Sequence, residues 1–159
     1  MGEILERPDP TPTLDVLERV VEHLTIKCSW PINRIHLFGF AQGGSVASEL
    51  ALRQWRKNQG PASSFASVIS VGGPLLSFPT LKPLCSTPAV YFHRSQRTND
   101  PAVAAFQKGF SDLKVVEAIA DGGMPKSKEE WSGVIQFWGQ VLSSRMPDMG
   151  GLHSVLSEL

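Results

Sequence analysis

The residue types and spacing most suggestive of chemistry lie in one stretch, Arg34-Ile-His-Leu-Phe-Gly-Phe-Ala-Gln-Gly-Gly-Ser45. The apolar run Ile35–Phe40 reads as a buried strand, and a helical pattern begins at Gln42. Gly39 on one side and Gly43-Gly44 on the other flank Ala41. Small residues so placed let a strand turn sharply into a helix, with the apex residue in a strained conformation. In a nucleophile elbow that apex is a serine whose hydroxyl stands above the end of the sheet and attacks an acyl carbon. Here the apex carries only a methyl. The stretch has the frame for nucleophilic catalysis and lacks the nucleophile.

No other residue replaces it plainly. Ser45 lies about one turn into the following helix and reads as a small packing residue. His36 alternates inside the apolar strand and reads as a hydrogen-bonded core or edge histidine. His93 follows a strand end near Asp100, where it could line a cleft. His23 and His153 have no companions. Asp100 precedes Pro101 and reads as the N-cap of a helix. Cys28 and Cys85 are far apart, without CxxC or Cys/His spacing, and read as free buried thiols rather than ligands or a disulfide. No carboxylate pair or His/Cys cluster points to metal or other acid–base work, so no cofactor is expected. Gly39-x-x-x-Gly43-Gly44 lacks both the dinucleotide spacing and a P-loop lysine.

The positioning elements follow from periodicity. From Thr13 a helix places Leu14, Leu17, Val20, Val21 and Leu24 on one face. Trp30-Pro31-Ile32-Asn33 turns into the first strand, and a helix of about Gln42 to Lys57 follows, with Leu50, Ala51 and Trp55 inward. Further strands are expected at Phe65–Val71, Pro88–His93 and Lys114–Ile119. Between the last two, a helix opens at Pro101 and buries Val103, Phe106 and Phe110. Gly122-Gly123-Met124-Pro125 is a loop. Ser127-Lys128-Glu129-Glu130 is a capping box starting a helix whose inner face holds Trp131, Val134, Ile135, Trp138, Val141 and Leu142. Apolar strands alternating with amphipathic helices predict an α/β fold, a parallel sheet with helices on both faces, of about four strands and four helices. Residues 1–12 read as an extended lead-in, 13–144 as the domain and 145–159 as a C-terminal tail.

Composition narrows the function classes. The chain has 159 residues, 42% hydrophobic and 19% charged, as in a globular domain. Fifteen basic residues balance fifteen acidic ones, which leaves no electrostatic case for nucleic acid or an anionic membrane. Near-zero net charge predicts limited solubility unless a partner covers apolar surface. No signal-peptide pattern opens the chain and no apolar run approaches membrane-spanning length, so a cytoplasmic location is expected.

Pro31-Ile32-Asn33-Arg34-Ile35 followed by Gly39-Phe40-Ala41-Gln42-Gly43-Gly44 resembles the acyl-protein thioesterase and carboxylesterase/phospholipase family of α/β-hydrolases. That family carries Pro-x-x-Arg-Ile before its strand and Gly-Phe-Ser-Gln-Gly-Gly at its elbow. The resemblance spans about residues 13 to 144, strongest at the elbow. It implies a reduced α/β-hydrolase-like three-layer sandwich. Ala41 then stands at the nucleophile position and the backbone N–H of Gln42 at one oxyanion position. Tyr91-Phe92-His93 leading to Asn99-Asp100-Pro101 makes Asp100 the matching acid, and Gly123-Met124-Pro125 puts Pro125 at the place of the base. The family's early strands and oxyanion loop have no counterpart upstream of Thr13, through biological shortening or an incomplete gene model.

The expectation is a catalytically inactive member with a binding or scaffolding role. Its ligand would be acyl or otherwise apolar, near Phe40, Gly43, Leu75, Leu76 and His93. The alternative is an active serine-type carboxylic ester or thioester hydrolase, similar to a palmitoyl-protein hydrolase, completed by missing segments or another chain. Without early strands, Ile35–Phe40 would be an apolar open edge, so a homo-oligomer or a protein partner lending a strand is expected there.

Overall fold

Short apolar strands buried on both faces need helices above and below them, and the chain supplies these in sequence. A computed structural model describes residues 9–93, 100–117 and 123–144. Helix α1 (Thr11–Glu22) runs on through a π-helical turn at His23–Lys27. Strand β1 (His36–Phe40) passes directly into α2 (Gln42–Lys57), and β2 (Ser67–Val71) follows. The chain from Gly72 to Pro88 connects to β3 (Ala89–His93). Then come α3 (Pro101–Gly109), β4 (Leu113–Glu117) and α4 (Lys128–Ser143). The four strands are parallel and ordered β1-β2-β3-β4, as in a reduced α/β-hydrolase-like sandwich.

Alternation along the strands divides the core between two layers. On one face Val68 of β2 and Tyr91 of β3 join Leu14 of α1, Leu50 and Trp55 of α2 and Phe106 of α3. On the other, Ile69, Val71, Val90 and Phe92 meet Val134, Phe137 and Val141 of α4. Both β2 and β3 are buried at every position, as inner strands of a parallel sheet must be, whereas β1, expected to be buried, is exposed at His36, Phe38 and Phe40.

Several elements differ in detail from the sequence expectation. Helix α1 starts at Thr11, because Pro12 is compatible with a first helical turn and the Asp9 carboxylate accepts the Thr11 N–H at 2.9 Å. Strand β4 occupies Leu113–Glu117, whereas the expected end at Ile119 lies outside the described residues. On α4 the buried stripe is Val134, Phe137 and Val141, while Ile135 and Leu142 are exposed. One layer covering a flat sheet buries a narrower stripe than the full apolar arc. Val20 of α1 is exposed for a similar reason. Cys28, expected to be buried, is exposed at the end of the π-helical turn. The lead-in before Asp9 and the tail after Ser144 lie outside the described residues.

Capping works largely as the sequence indicates. The Asp100 side chain accepts the Ala102 N–H at 2.9 Å, and Ser127 Oγ accepts the Glu130 N–H at 3.2 Å. The Glu130 carboxylate takes the Lys126 N–H. Phe106, fully buried between the rings of Tyr91 and Phe110, is the most connected aromatic in the first layer. Phe106→Ala is expected to destabilise the domain by about 3–5 kcal/mol, read as a lower urea midpoint with an unchanged slope.

Candidate functional site

The elbow forms because β1 and α2 are joined by a single residue. Ala41 takes up the whole change of direction with φ 49° and ψ −122°, a conformation that L-residues rarely adopt. Such a residue stores on the order of 1–3 kcal/mol of strain and persists only where its surroundings over-determine it. They do so here. The Ala41 N–H donates to the Val71 carbonyl at 2.8 Å, while its own carbonyl accepts from Gly44 and Ser45 at 2.9 and 3.1 Å. A Cβ on Gly39 would collide with the Gly43 carbonyl, and one on Gly73 would collide with the Ala41 carbonyl oxygen and the Ser45 nitrogen. Ala41 itself is exposed, so its methyl stands at the apex, at the carboxyl end of the sheet.

Gln42 and Gly43 begin α2, where first-turn N–H groups have no intrahelical acceptor and present partial positive charge. Ser45 is buried at the start of α2. His36 is an edge residue whose Nδ1 lies 2.8 Å from Ser67 Oγ on the neighbouring strand.

His93 and Asp100 come together at the end of β3. His93 Nδ1 is 3.4 Å from Asp100 Oδ2, while the other carboxylate oxygen caps α3. Asp100 thus both caps α3 and lies against the His93 ring. The buried His93 ring stacks on Tyr91 with centroids 5.4 Å apart, and Tyr91 stacks on Phe106 at 4.4 Å. Burial, then the nearby Asp100 charge, pushes the Tyr91 phenol up to about 12. Ala41 follows β1 and His93 ends β3, with β2 between them, which spaces their backbones by about 10 Å along one sheet end.

Pro125 is buried just ahead of α4, and its carbonyl accepts the Trp131 indole N–H at 3.0 Å. Trp131 in turn stacks on Phe38 of β1, centroids 6.2 Å apart. The pyrrolidine ring of Pro125 offers no proton acceptor. Among the described residues, no three His, Cys, Asp or Glu side chains gather as a metal would require.

The residues expected to line a ligand groove are distributed over more than one surface. A cleft of about 540 Å³ runs between α1, β1 and the first turns of α2, and Gln42, Gly43 and Leu76 help to line it. Its apolar walls include Leu17, Leu24, Leu37 and Val46. Phe40 is exposed and, two residues from Phe38, projects on the α4 side of the sheet. Leu75 packs against the first core layer, and His93 is held with Asp100.

Glu49 was missed by sequence reasoning. It is buried in α2, where Oε1 accepts the N–H groups of Leu76 and Ser77 at 2.8 and 2.7 Å. Oε2 accepts the Ser77 hydroxyl at 2.8 Å. Trp55, two turns further on, donates its indole N–H to Pro83 at 3.0 Å. Together they fasten both ends of the chain after β2 to α2 and set Leu76 on the cleft wall. The available signal was a lone acid amid the inward residues of α2, at Ser48-Glu49-Leu50.

This geometry has a counterpart in sequence similarity. The chain is 31% identical over 151 residues to a protein of Mycosarcoma maydis named an uncharacterized hydrolase, an alignment covering 91% of this chain and 56% of the relative. The chain therefore spans about half the length of the curated relative it matches. No family model matches it. Fold and similarity together make this a hydrolase-like α/β protein.

Two measurements follow. Glu49→Ala leaves two backbone donors and a hydroxyl unsatisfied, and is expected to cost about 2–4 kcal/mol and to speed amide exchange at Leu76 and Ser77 selectively. Tyr91 is the single tyrosine, so absorbance at 295 nm reports it alone. Its folded pKa of about 12 exceeds the unfolded value of about 10. The unfolded chain loses this proton first, so stability falls as pH rises from about 10 to 12. No phenolate signal is expected below that window while the fold persists.

Proposed function

We propose that this chain is a catalytically inactive relative of the acyl-protein thioesterase and carboxylesterase/phospholipase hydrolases, and that it binds an acyl or similarly apolar ligand in the cytoplasm. The observation that carries the reading is the backbone at Ala41, bent as a nucleophile elbow while displaying a methyl. Pro125, at the position expected for the base, has no group to accept a proton. Nucleophile and base act as one unit, and losing either costs on the order of a million-fold in turnover. The residual rate of such mutants rests on oxyanion donors, worth on the order of a hundred- to thousand-fold each.

Binding outlives chemistry because it needs different groups. The cleft beside β1 has a volume in the range of small-ligand sites, with aliphatic walls and the α2 amino terminus at Gln42-Gly43 for a carbonyl or carboxylate. The unpaired thiols of Cys28 and Cys85 support the cytoplasmic assignment. Residues 13–144 form the binding unit in this reading.

A second reading, an active ester or thioester hydrolase completed by further segments or another chain, draws support from the His93–Asp100 pair and the Gln42 amide. One comparison separates the two. Purified chain is expected to hydrolyse neither a short-chain p-nitrophenyl ester nor an acyl thioester above an Ala41→Trp control. It is expected to resist fluorophosphonate labelling while binding a fluorescent fatty acid that Leu37→Glu releases. Labelling of any serine, or turnover above the control, overturns inactivity, and absence of fatty-acid binding overturns the ligand.

A further inference from the structure

We propose that Asp9 sets the head-group preference of the cleft between α1, β1 and α2, so that it takes an uncharged long-chain acyl ester or amide bearing a hydroxyl in preference to the free fatty acid. This preference rests on the reading of the cleft as an acyl site and adds what the polar end of the ligand must be. Among the described residues that line the cleft, Asp9 is the only Asp, Glu, Lys or Arg. The remaining walls are aliphatic or uncharged over most of their length, with Leu17, Leu24, Leu37 and Val46 among them.

Contacts between the helices fix the end of the cleft at which Asp9 stands. Asp15 meets Arg53 at 2.7 Å and Glu18 meets Lys57 at 2.6 Å, so α1 and α2 run side by side in one direction. Their first residues therefore share one end, where Asp9, Pro10 and Thr13 line the cleft with Gln42 and Gly43. Leu24 and Ile35 line the other end, where α1 has run on into its π-helical turn and β1 has yet to begin. An acyl chain lying along the aliphatic walls thus brings its carbonyl to the first-turn amides of α2 and its head group to Asp9.

The charges at that end decide which head group is favoured. The Thr11 hydroxyl, and then the Thr11 N–H at 2.9 Å from Oδ1, hold the Asp9 carboxyl below its ordinary value, so it is ionised at neutral pH. Each helix amino terminus carries about half a unit of positive charge. Asp9 therefore balances the ends of α1 and α2 together, and no net positive charge is left to hold a carboxylate. A fatty acid entering the cleft would give up hydration of its charged head without compensation. An ester or amide carbonyl accepts from the same α2 amides at far lower cost. A carboxylate has about four acceptor positions, so two donations from Thr11 leave Asp9 able to accept from a ligand hydroxyl as well.

The test titrates the full chain with a fluorescent long-chain fatty acid and with the 2-hydroxyethyl amide of the same acid, at low and high salt. The amide is expected to bind at least about fivefold tighter than the acid. Asp9→Asn can still accept from Thr11, so the start of α1 is kept. It is expected to tighten the acid about fivefold at low salt, with a smaller gain at high salt, because the change is one of charge. Asp9→Lys is expected to make the acid the tighter ligand of the two. Equal binding of acid and amide by the parent chain overturns the head-group preference alone, as does tighter binding of the acid. A ratio that neither substitution moves overturns the role of Asp9. If neither compound binds, the cleft is not an acyl site, and the functional reading falls together with the preference built on it.

Discussion

The direct join of β1 to α2 through one residue is the constraint on which the rest of the site depends. A strand that becomes a helix with a single intervening residue must reverse its direction within one pair of dihedral angles. Ala41 does so at φ 49°. The conformation is unfavourable alone, and is held by bonds to Val71, Gly44 and Ser45 together with contacts only glycine permits at positions 39 and 73. Because Gly73 comes from the connection after β2, the elbow is a tertiary structure. Its geometry requires β1 and β2 in register and the chain beyond β2 folded back over α2.

That dependence gives Glu49 its importance. Chain leaving a parallel sheet carries backbone donors that no strand satisfies, and burying them without acceptors would be costly. One carboxylate on α2 meets two of these donors and a hydroxyl, while Trp55 reaches the far end of the same connection. A single helix therefore supplies the elbow's amino-terminal amides, the clamp on the neighbouring loop and one wall of the cleft. The opposite wall, α1, is joined to α2 at the surface by Arg53–Asp15 and Lys57–Glu18 contacts of 2.7 and 2.6 Å. Exposed pairs of this kind contribute little energy, so the position of α1 rests mainly on Leu14 and its neighbours in the core.

Elements whose signal is local were readable from sequence, and those that depend on tertiary packing were not. The strand runs, the small residues about Ala41 and the Asp100-Pro101 and Ser127 caps each act within a few residues, and the structure has them nearly where periodicity puts them. Which side of α4 meets the sheet depends on the width of the layer below, so the apolar arc was read too broadly and Phe137 was overlooked in favour of Ile135 and Leu142. The dual use of Asp100, capping α3 and contacting His93, joins a local signal to a long-range one. Glu49 was invisible for the same reason: its partners lie 27 and 28 residues away in sequence. The likeness of the elbow to a hydrolase motif was legible. The scatter of Phe40, Leu75 and His93 over separate surfaces was not, because it follows from strand pleat and connection path.

An elbow with alanine at its apex invites a chemical explanation of the bend, but the physics supports a plainer account. Strain at an active-site apex is usually explained by the exposure it gives the nucleophile. In this chain the same angles are imposed by the length of the connection and by the close approach of three backbone segments. Restoring ordinary angles at position 41 would require lengthening the join or displacing α2 from the sheet, with the loss of core contacts at Leu50, Ala51 and Trp55. Those contacts are worth more than the on the order of 1–3 kcal/mol stored at the apex. The bend therefore needs no nucleophile to hold it, and its presence bears on architecture and on the cleft beside it. Catalysis has to be argued from side chains, and at this apex the side chain is a methyl.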